Sequence, residues 1–246
     1  MYNKNEKPLI KASVFYYDND YNSYFYPNSI LHILKKHNLD IPQKYYAGPM
    51  TQNRYANYNE NFEDIFVESY IQKDVFEFDM SSGDIRKETN YWNFNWSYTF
   101  YKNSKLKKEK ISFQPWNIIS FSATHDWMKT SDNRENFINC FLEIIEVIKP
   151  IYGIIDDVDN KVGLLQKAGF SCVRLDTIQQ IYWGNYWGKQ YCEAINLDEE
   201  KMKQFPIANS ETVGEGVFFS LTDNPLDYDT MESKRKRKEI KKYFDF

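Results

Sequence analysis

The densest group of potentially reactive side chains is the acidic stretch IIDDVDNKVG, residues 154–163. Carboxylates at the exit of a buried strand can act as general acid and base, or hold a metal. As a calcium loop, Asp157 and Asp159 fill the first two ligand positions. Lys161 then falls where a third oxygen belongs, and Val162 where glycine permits the sharp turn, so the pattern fails. The commoner use of such an aspartate is helix capping, here by Asp156 or Asp157, whose side chain accepts from N–H groups of the next turn. Exposed, Asp156, Asp157 and Asp159 would instead steer and bind a basic partner.

Elsewhere the sequence offers little chemistry. His32 and His37 are five apart on an expected helix, about 140° from each other at ~3.6 residues per turn, and cannot share a metal. His125 stands beside Asp126 with no HExxH context. Cys140, Cys172 and Cys192 are too few and too scattered for a disulfide framework or a zinc site, and suit a reducing compartment. There is no GxSxG elbow, P-loop or GxGxxG. The run DNKVGLLQKAGF resembles the Asn…Gly-Phe signature of GNAT-type acetyltransferases. Its Asn160-to-Gly169 spacing is short, and no Arg/Gln-x-x-Gly-x-Gly/Ala loop is present to cradle a coenzyme A pyrophosphate. No catalytic residue, metal or cofactor is therefore expected.

Two further stretches invite a binding role. IYWGNYWG, residues 181–188, holds two tryptophans and two tyrosines around Gly184, Asn185 and Gly188. It reads either as an aromatic ligand box or as a core strand running into a turn. Ile181 and Trp183 fall on one face and Tyr182 and Gly184 on the other. Asn185 is able to bond nearby backbone and set the turn, so strand and turn explain most of the residue choices. KRKRKEIKK, residues 234–242, carries seven basic residues, enough for phosphate contacts. On a helix they spread around the axis, with Ile240, Tyr243 and Phe244 as a short apolar stripe and the acidic DNPLDYDTME before it. That pattern favours a solvated terminal helix pinned by its last turn.

The elements that must position these residues follow from periodicity. IKASVFYY (10–17) reads as a strand. A helix capped by Asn28 or Ser29 runs to about His37, and another covers 59–71. Residues 74–80 alternate again. WNFNWSYTF (92–100) puts Trp92, Phe94, Trp96, Tyr98 and Phe100 on one face and Asn93, Asn95, Ser97 and Thr99 on the other, which leaves little room for a helix. With a return through Ile111, Phe113, Ile119 and Phe121, residues 91–121 form a long antiparallel hairpin with one wet face. Asp132 and Glu135 make a capping box for a helix ending at Pro150. IYGII (151–155) is a buried strand, followed by a helix to Gly169. Strand 178–186, short helices 188–195 and 198–204, strand 217–221 and a helix over about 232–244 complete the chain. The fold class is α+β: a mixed, largely antiparallel sheet with a long β-hairpin and helices packed on it, in one domain spanning 1–246.

Composition narrows the classes. At 246 residues the chain can bury a real core, and no Gly/Pro/Ser linker divides it. A formal net charge of −4 argues against a nucleic-acid partner. No apolar run approaches the ~20 residues of a membrane span, and the start, MYNKNEKPLI, has no apolar signal core. The cytoplasm is the expected compartment.

The last third, taken as a unit, combines an aromatic run, an Asn-aromatic-aromatic-Gly turn, a short helix, a glycine turn with a strand, and a Pro-Leu-Asp segment. The residues are Trp183, Asn185, Tyr186, Trp187 and Gly188, then Gly214, Gly216, Pro225, Leu226 and Asp227. Over roughly residues 130–230 this order resembles bacterial immunity proteins of polymorphic toxin systems, notably the type VI immunity family and the immunity protein 52 family. Gly184 departs from the larger residue expected there, and the basic tail has no counterpart. The resemblance implies a cytoplasmic antitoxin that binds one cognate toxin domain and occludes it without catalysis. Asp156, Asp157, Asp159, Trp183, Asn185, Trp187 and Glu215 are the expected partner contacts. The alternatives are a small enzyme using the acidic cluster or a divergent acetyltransferase fold, and a nucleic-acid accessory protein using the basic helix.

Overall fold

Described in the computed structural model are residues 7–16, 25–48, 56–71, 77–97, 113–114, 117–158, 173–174, 178 and 180–244. The first half runs β1 (Leu9–Tyr16), α1 (Phe25–Lys36), β2 (Lys44–Gly48), β3 (Ala56–Asn57), α2 (Phe62–Ile71), β4 (Glu77–Ser81), β5 (Trp92–Ser97), β6 (Phe113–Gln114) and β7 (Asn117–Thr124). The second runs α3 (Ser131–Ile148), β8 (Tyr152–Asp157), β9 (Val173–Arg174), β10 (Gly184–Trp187), α4 (Lys189–Ala194), α5 (Glu199–Met202), β11 (Asn209–Val213), β12 (Gly216–Ser220) and α6 (Met231–Lys242). Ten strands make one open sheet in the order β11-β12-β10-β8-β1-β7-β5-β4-β2-β3, with every neighbouring pair antiparallel. Strands β6 and β9 pair separately. The architecture is thus mixed α and β on an antiparallel sheet.

One face of the sheet is apolar because alternate residues of successive strands stay in register. Ile10, Ala12 and Val14 of β1 lie opposite Ala123, Phe121 and Ile119 of β7, which in turn lie opposite Trp92, Phe94 and Trp96 of β5. Helices α1, α2 and α3 cover this face. Phe66 meets Trp96 edge-on at 4.6 Å between ring centroids, and Phe78 stacks on Trp96 at 4.4 Å. Such pairs add about 0.5–1.5 kcal/mol each beyond burial. The stripe Phe137, Phe141, Ile144, Ile145 and Ile148 of α3 is buried as its spacing predicts.

Several boundaries differ from the sequence expectation. The N-cap of α3 is Thr130, not Asp132; its side chain accepts from the Asn133 N–H, so the helix starts earlier. It ends at Lys149, in the left-handed region at φ 49°, just before Pro150. Helix α1 begins at Phe25, ahead of the expected Asn28 or Ser29 cap, with Pro27 tolerated in its first turn. The strand expected over 178–186 is only Gly184–Trp187. Strand β5 does pair antiparallel with β7, Trp92 opposite Ala123 and Ser97 opposite Ile118. Of the connection that would make them one hairpin, only Phe113–Gln114 is described, and it pairs with β9 instead of continuing the return strand; the rest lies outside the described residues, as does the helix expected to end at Gly169. Among the described residues no helix is long and apolar enough to cross a membrane.

Candidate functional site

The aromatic run 181–188 is interior. Trp183, Asn185 and Trp187 are all buried. Asn185 accepts from the Tyr182 N–H and donates back to the Tyr182 carbonyl, both at 2.9 Å. Its amide therefore takes the place of a ladder partner for Tyr182, and the strand begins only at Gly184. Trp183 donates its indole N–H to Thr222 Oγ1 at 2.8 Å. Trp187 sits among Tyr191, Phe205, Phe219 and Phe244, forming a second core under α4 and α6 on the sheet face away from α1–α3. The glycines are set by close approach. A Cβ on Gly188 would stand 2.5 Å from the Pro150 carbonyl oxygen, and one on Gly216 equally close to that of Trp187. At Gly184, where a larger residue is expected, a Cβ would press on Ile155 and Phe218 at 3.2 and 3.3 Å.

The acidic cluster is likewise turned inward. Asp156 is fully buried in β8. It accepts from the Trp183 N–H at 3.2 Å, from the Asp157 N–H at 2.8 Å and from the Arg237 guanidinium at 3.1 Å. Arg237 also donates to the Tyr228 carbonyl. Asp157, also buried, accepts from His125 Nε2 at 3.0 Å. Both are strand residues: Asp156 ties the later Trp183 and Arg237 to the sheet, and Asp157 the earlier His125; the helix they are expected to cap lies, beyond Val158, outside the described residues. Asp159 lies outside the described residues. Of the expected partner contacts that are described, Asp156, Asp157, Trp183, Asn185 and Trp187 support the surface from within, and only Glu215 is exposed.

The basic helix is anchored rather than free. Arg237 reaches Asp156, Lys236 pairs with Glu232 and donates to the Leu221 carbonyl, Lys234 pairs with Asp229, and Arg235 pairs with Glu239. Ile240 is fully buried, and Phe244 packs on Trp187 and Phe205. The acidic stretch DNPLDYDTME thus supplies two of its counter-charges, Asp229 and Glu232.

Two arrangements escape a reading by sequence. The first is a polar strip on the sheet face opposite α1 and α2. Ser122 and Ser120 of β7 each donate to the asparagine across from them on β5, Asn93 and Asn95, at 2.5 Å. Asn93 donates onward to Asp79 of β4 at 3.0 Å. Burial pushes the Asp79 carboxyl up to about 7, with Glu77 beside it adding to the rise and Asn93 and Lys11 opposing it. Burial also lowers the Lys11 ammonium, against the pull of Asp79 and Glu77. Such a carboxyl exchanges its proton near neutral pH. The sequence traces of this strip are the wet alternation of Asn93, Asn95 and Ser97 and the alternation over 74–80; strand pairing joins them and brings in Lys11.

The second is a groove of about 1050 Å³ between the α4–α5 segment and the β11–β12 hairpin. The hairpin turns on Gly214, at φ 56°, followed by Glu215, which suits a two-residue turn with glycine first. Strand β11 is exposed from Asn209 to Thr212 and forms one end of the ten-strand order. Among the described residues no group of three or more His, Cys, Asp or Glu side chains is placed to hold a metal.

No protein-family model matches the chain, and no curated protein matches it, so neither the type VI immunity family nor the immunity protein 52 family is assigned. A solved structure does share its fold. The chain is similar to the Pseudomonas aeruginosa T6SS protein PA0821, with a TM-score of 0.60 and 10% sequence identity, over 95% of this chain and 73% of that one.

Proposed function

We propose that this chain is an immunity protein. It binds the toxin domain of a type VI or other polymorphic toxin system and neutralises it by occlusion, without cofactor or chemistry of its own. The observation that carries the reading is the fold shared with a T6SS protein along nearly the whole chain. The ordered pattern of the last third supports it: the Asn185 turn, the Gly214–Gly216 hairpin and the Pro225-Leu226-Asp227 segment occur in the order the immunity families show. The two buried aspartates weigh against an acidic-cluster hydrolase, because both are bonded inside the fold. The anchored α6 weighs against a nucleic-acid role for the basic tail. In this reading the protein works in the cytoplasm and gives up roughly 800 Å² of its surface to the toxin.

The test is co-expression with the large open reading frame encoded beside it. Growth arrest by that neighbour alone, relieved by this chain, with the two proteins co-purifying, is the expected result. A neighbour that is harmless, or that still arrests growth in the presence of this chain, overturns the proposal.

A further inference from the structure

We infer that the free edge of β11 takes up one extended basic segment of the partner protein as an eleventh strand, with its side chains over the adjoining groove. This names the contact for the partner proposed above and rests on that reading. The edge has the geometry for it. Val213 and Gly216 flank the two-residue turn as a hydrogen-bonded pair, so Glu211 with Phe218 is the next such pair. Ser210 and Thr212 fall between, and their N–H and C=O groups turn away from β12. Among the described residues, no backbone hydrogen bond outside the β11–β12 ladder reaches either residue. The strand, NSETV, carries neither proline nor lysine, the residues that commonly blunt an edge. The opposite end of the sheet, β3, is only two residues long.

The groove specifies the chemistry of the segment. Glu193, Asp198, Glu211 and Glu215 line it against Lys189 and Lys203, and Lys203 is already paired with Glu200 at 2.8 Å. Leu197, Met202 and Val217 are half-buried along it and offer apolar contact. An added strand with alternating apolar and basic side chains meets both demands. Backbone pairing supplies affinity and the alternate side chains supply selectivity.

The experiment uses the full chain and two labelled ten-residue probes, one alternating lysine and valine, the other glutamate and valine. The basic probe is expected to bind more tightly, with new hydrogen-exchange protection at the Ser210 and Thr212 amides. Thr212→Pro removes an outward N–H without touching the β12 ladder and is expected to weaken the basic probe by about fivefold or more. Glu211→Lys with Glu215→Lys, both exposed and so neutral for folding, is expected to weaken it similarly. Equal binding of the two probes, or affinity unchanged in both variants, overturns the inference. The co-expression assay separates this from the function proposed above. If the wild type does not relieve arrest, the immunity reading fails. If the wild type and both variants relieve it equally, strand addition fails while the immunity reading stands.

Discussion

Replacing Arg237 with methionine strips the counter-charge from a fully buried carboxylate. Asp156 is 0% exposed and the Arg237 side chain 13%, with Nη2 3.1 Å from Oδ2. The variant leaves Asp156 with the Trp183 and Asp157 N–H groups as its remaining donors among those described above, and also removes the Arg237 bond to the Tyr228 carbonyl. Removing one member of a buried pair costs about 3–5 kcal/mol, because the other charge stays buried without its partner. For a chain of this size about 2–4 °C of melting temperature follows each kcal/mol, so roughly 6–20 °C is expected to be lost. Urea unfolding gives the free energy directly from the shift in midpoint at unchanged slope. Arg235→Ala, on the same helix but in an exposed pair with Glu239, is the internal control and should cost no more than about 0.5 kcal/mol. Asp156→Asn combined with Arg237→Met should cost less than the two single changes added together, by about 0.5–3 kcal/mol, since the charge that Arg237 balances is gone too. An Arg237→Met loss below about 1 kcal/mol would refute the reasoning, because the pair would then behave like a surface bridge.

Other perturbations follow from the same structure. Asp79 should titrate near 7 by carboxyl NMR. Between the ordinary carboxyl range and that value the folded chain keeps a proton the unfolded chain has lost, so its contribution to stability falls as pH rises across that window and levels off above it. Asp79→Asn should flatten this part of the pH–stability curve, and a midpoint below about 5 would contradict the assignment. Asn185→Ala should cost about 1–3 kcal/mol for each Tyr182 backbone group left unpaired, measured by chemical denaturation; a cost under 1 kcal/mol would mean that water replaces the amide. Gly188→Ala, pressed against the Pro150 carbonyl, should lose about 1–3 kcal/mol or more from steric overlap. Gly214→Ala has open space and should lose only the roughly 1–2 kcal/mol of a left-handed conformation. A Gly188→Ala loss below about 1 kcal/mol, read by thermal melts, would contradict the packing argument.

How much of this is legible in the sequence depends on what a residue is asked to reveal. WNFNWS alternates without exception, and β5 buries Trp92, Phe94 and Trp96 as that period requires. The α3 stripe is equally plain, although its cap is Thr130, because Asp132 and Thr130 are both good caps and only packing chooses between them. Strand β11 is invisible: an edge strand exposed over four of its five residues has no apolar alternation to show. The candidate contacts fare worse than the fold. Aspartates in sequence look the same whether they face a toxin or an arginine 81 positions away. The groove and the polar strip are products of sheet order, which local spacing does not encode. Trp183 and Trp187, expected as contacts, are buried.

The Asp156–Arg237 tie also has a consequence in time. The two residues are separated by 81 positions in the chain. At synthesis rates of about 5–20 residues per second, the aspartate waits roughly 4–16 s for its arginine to be made. During that interval β8 has its carboxylate but not the guanidinium that will pair with it. The second core under Trp187 also waits for Phe244. The tie from β8 and the packing around Trp187 therefore close only after Arg237 and Phe244 have been added.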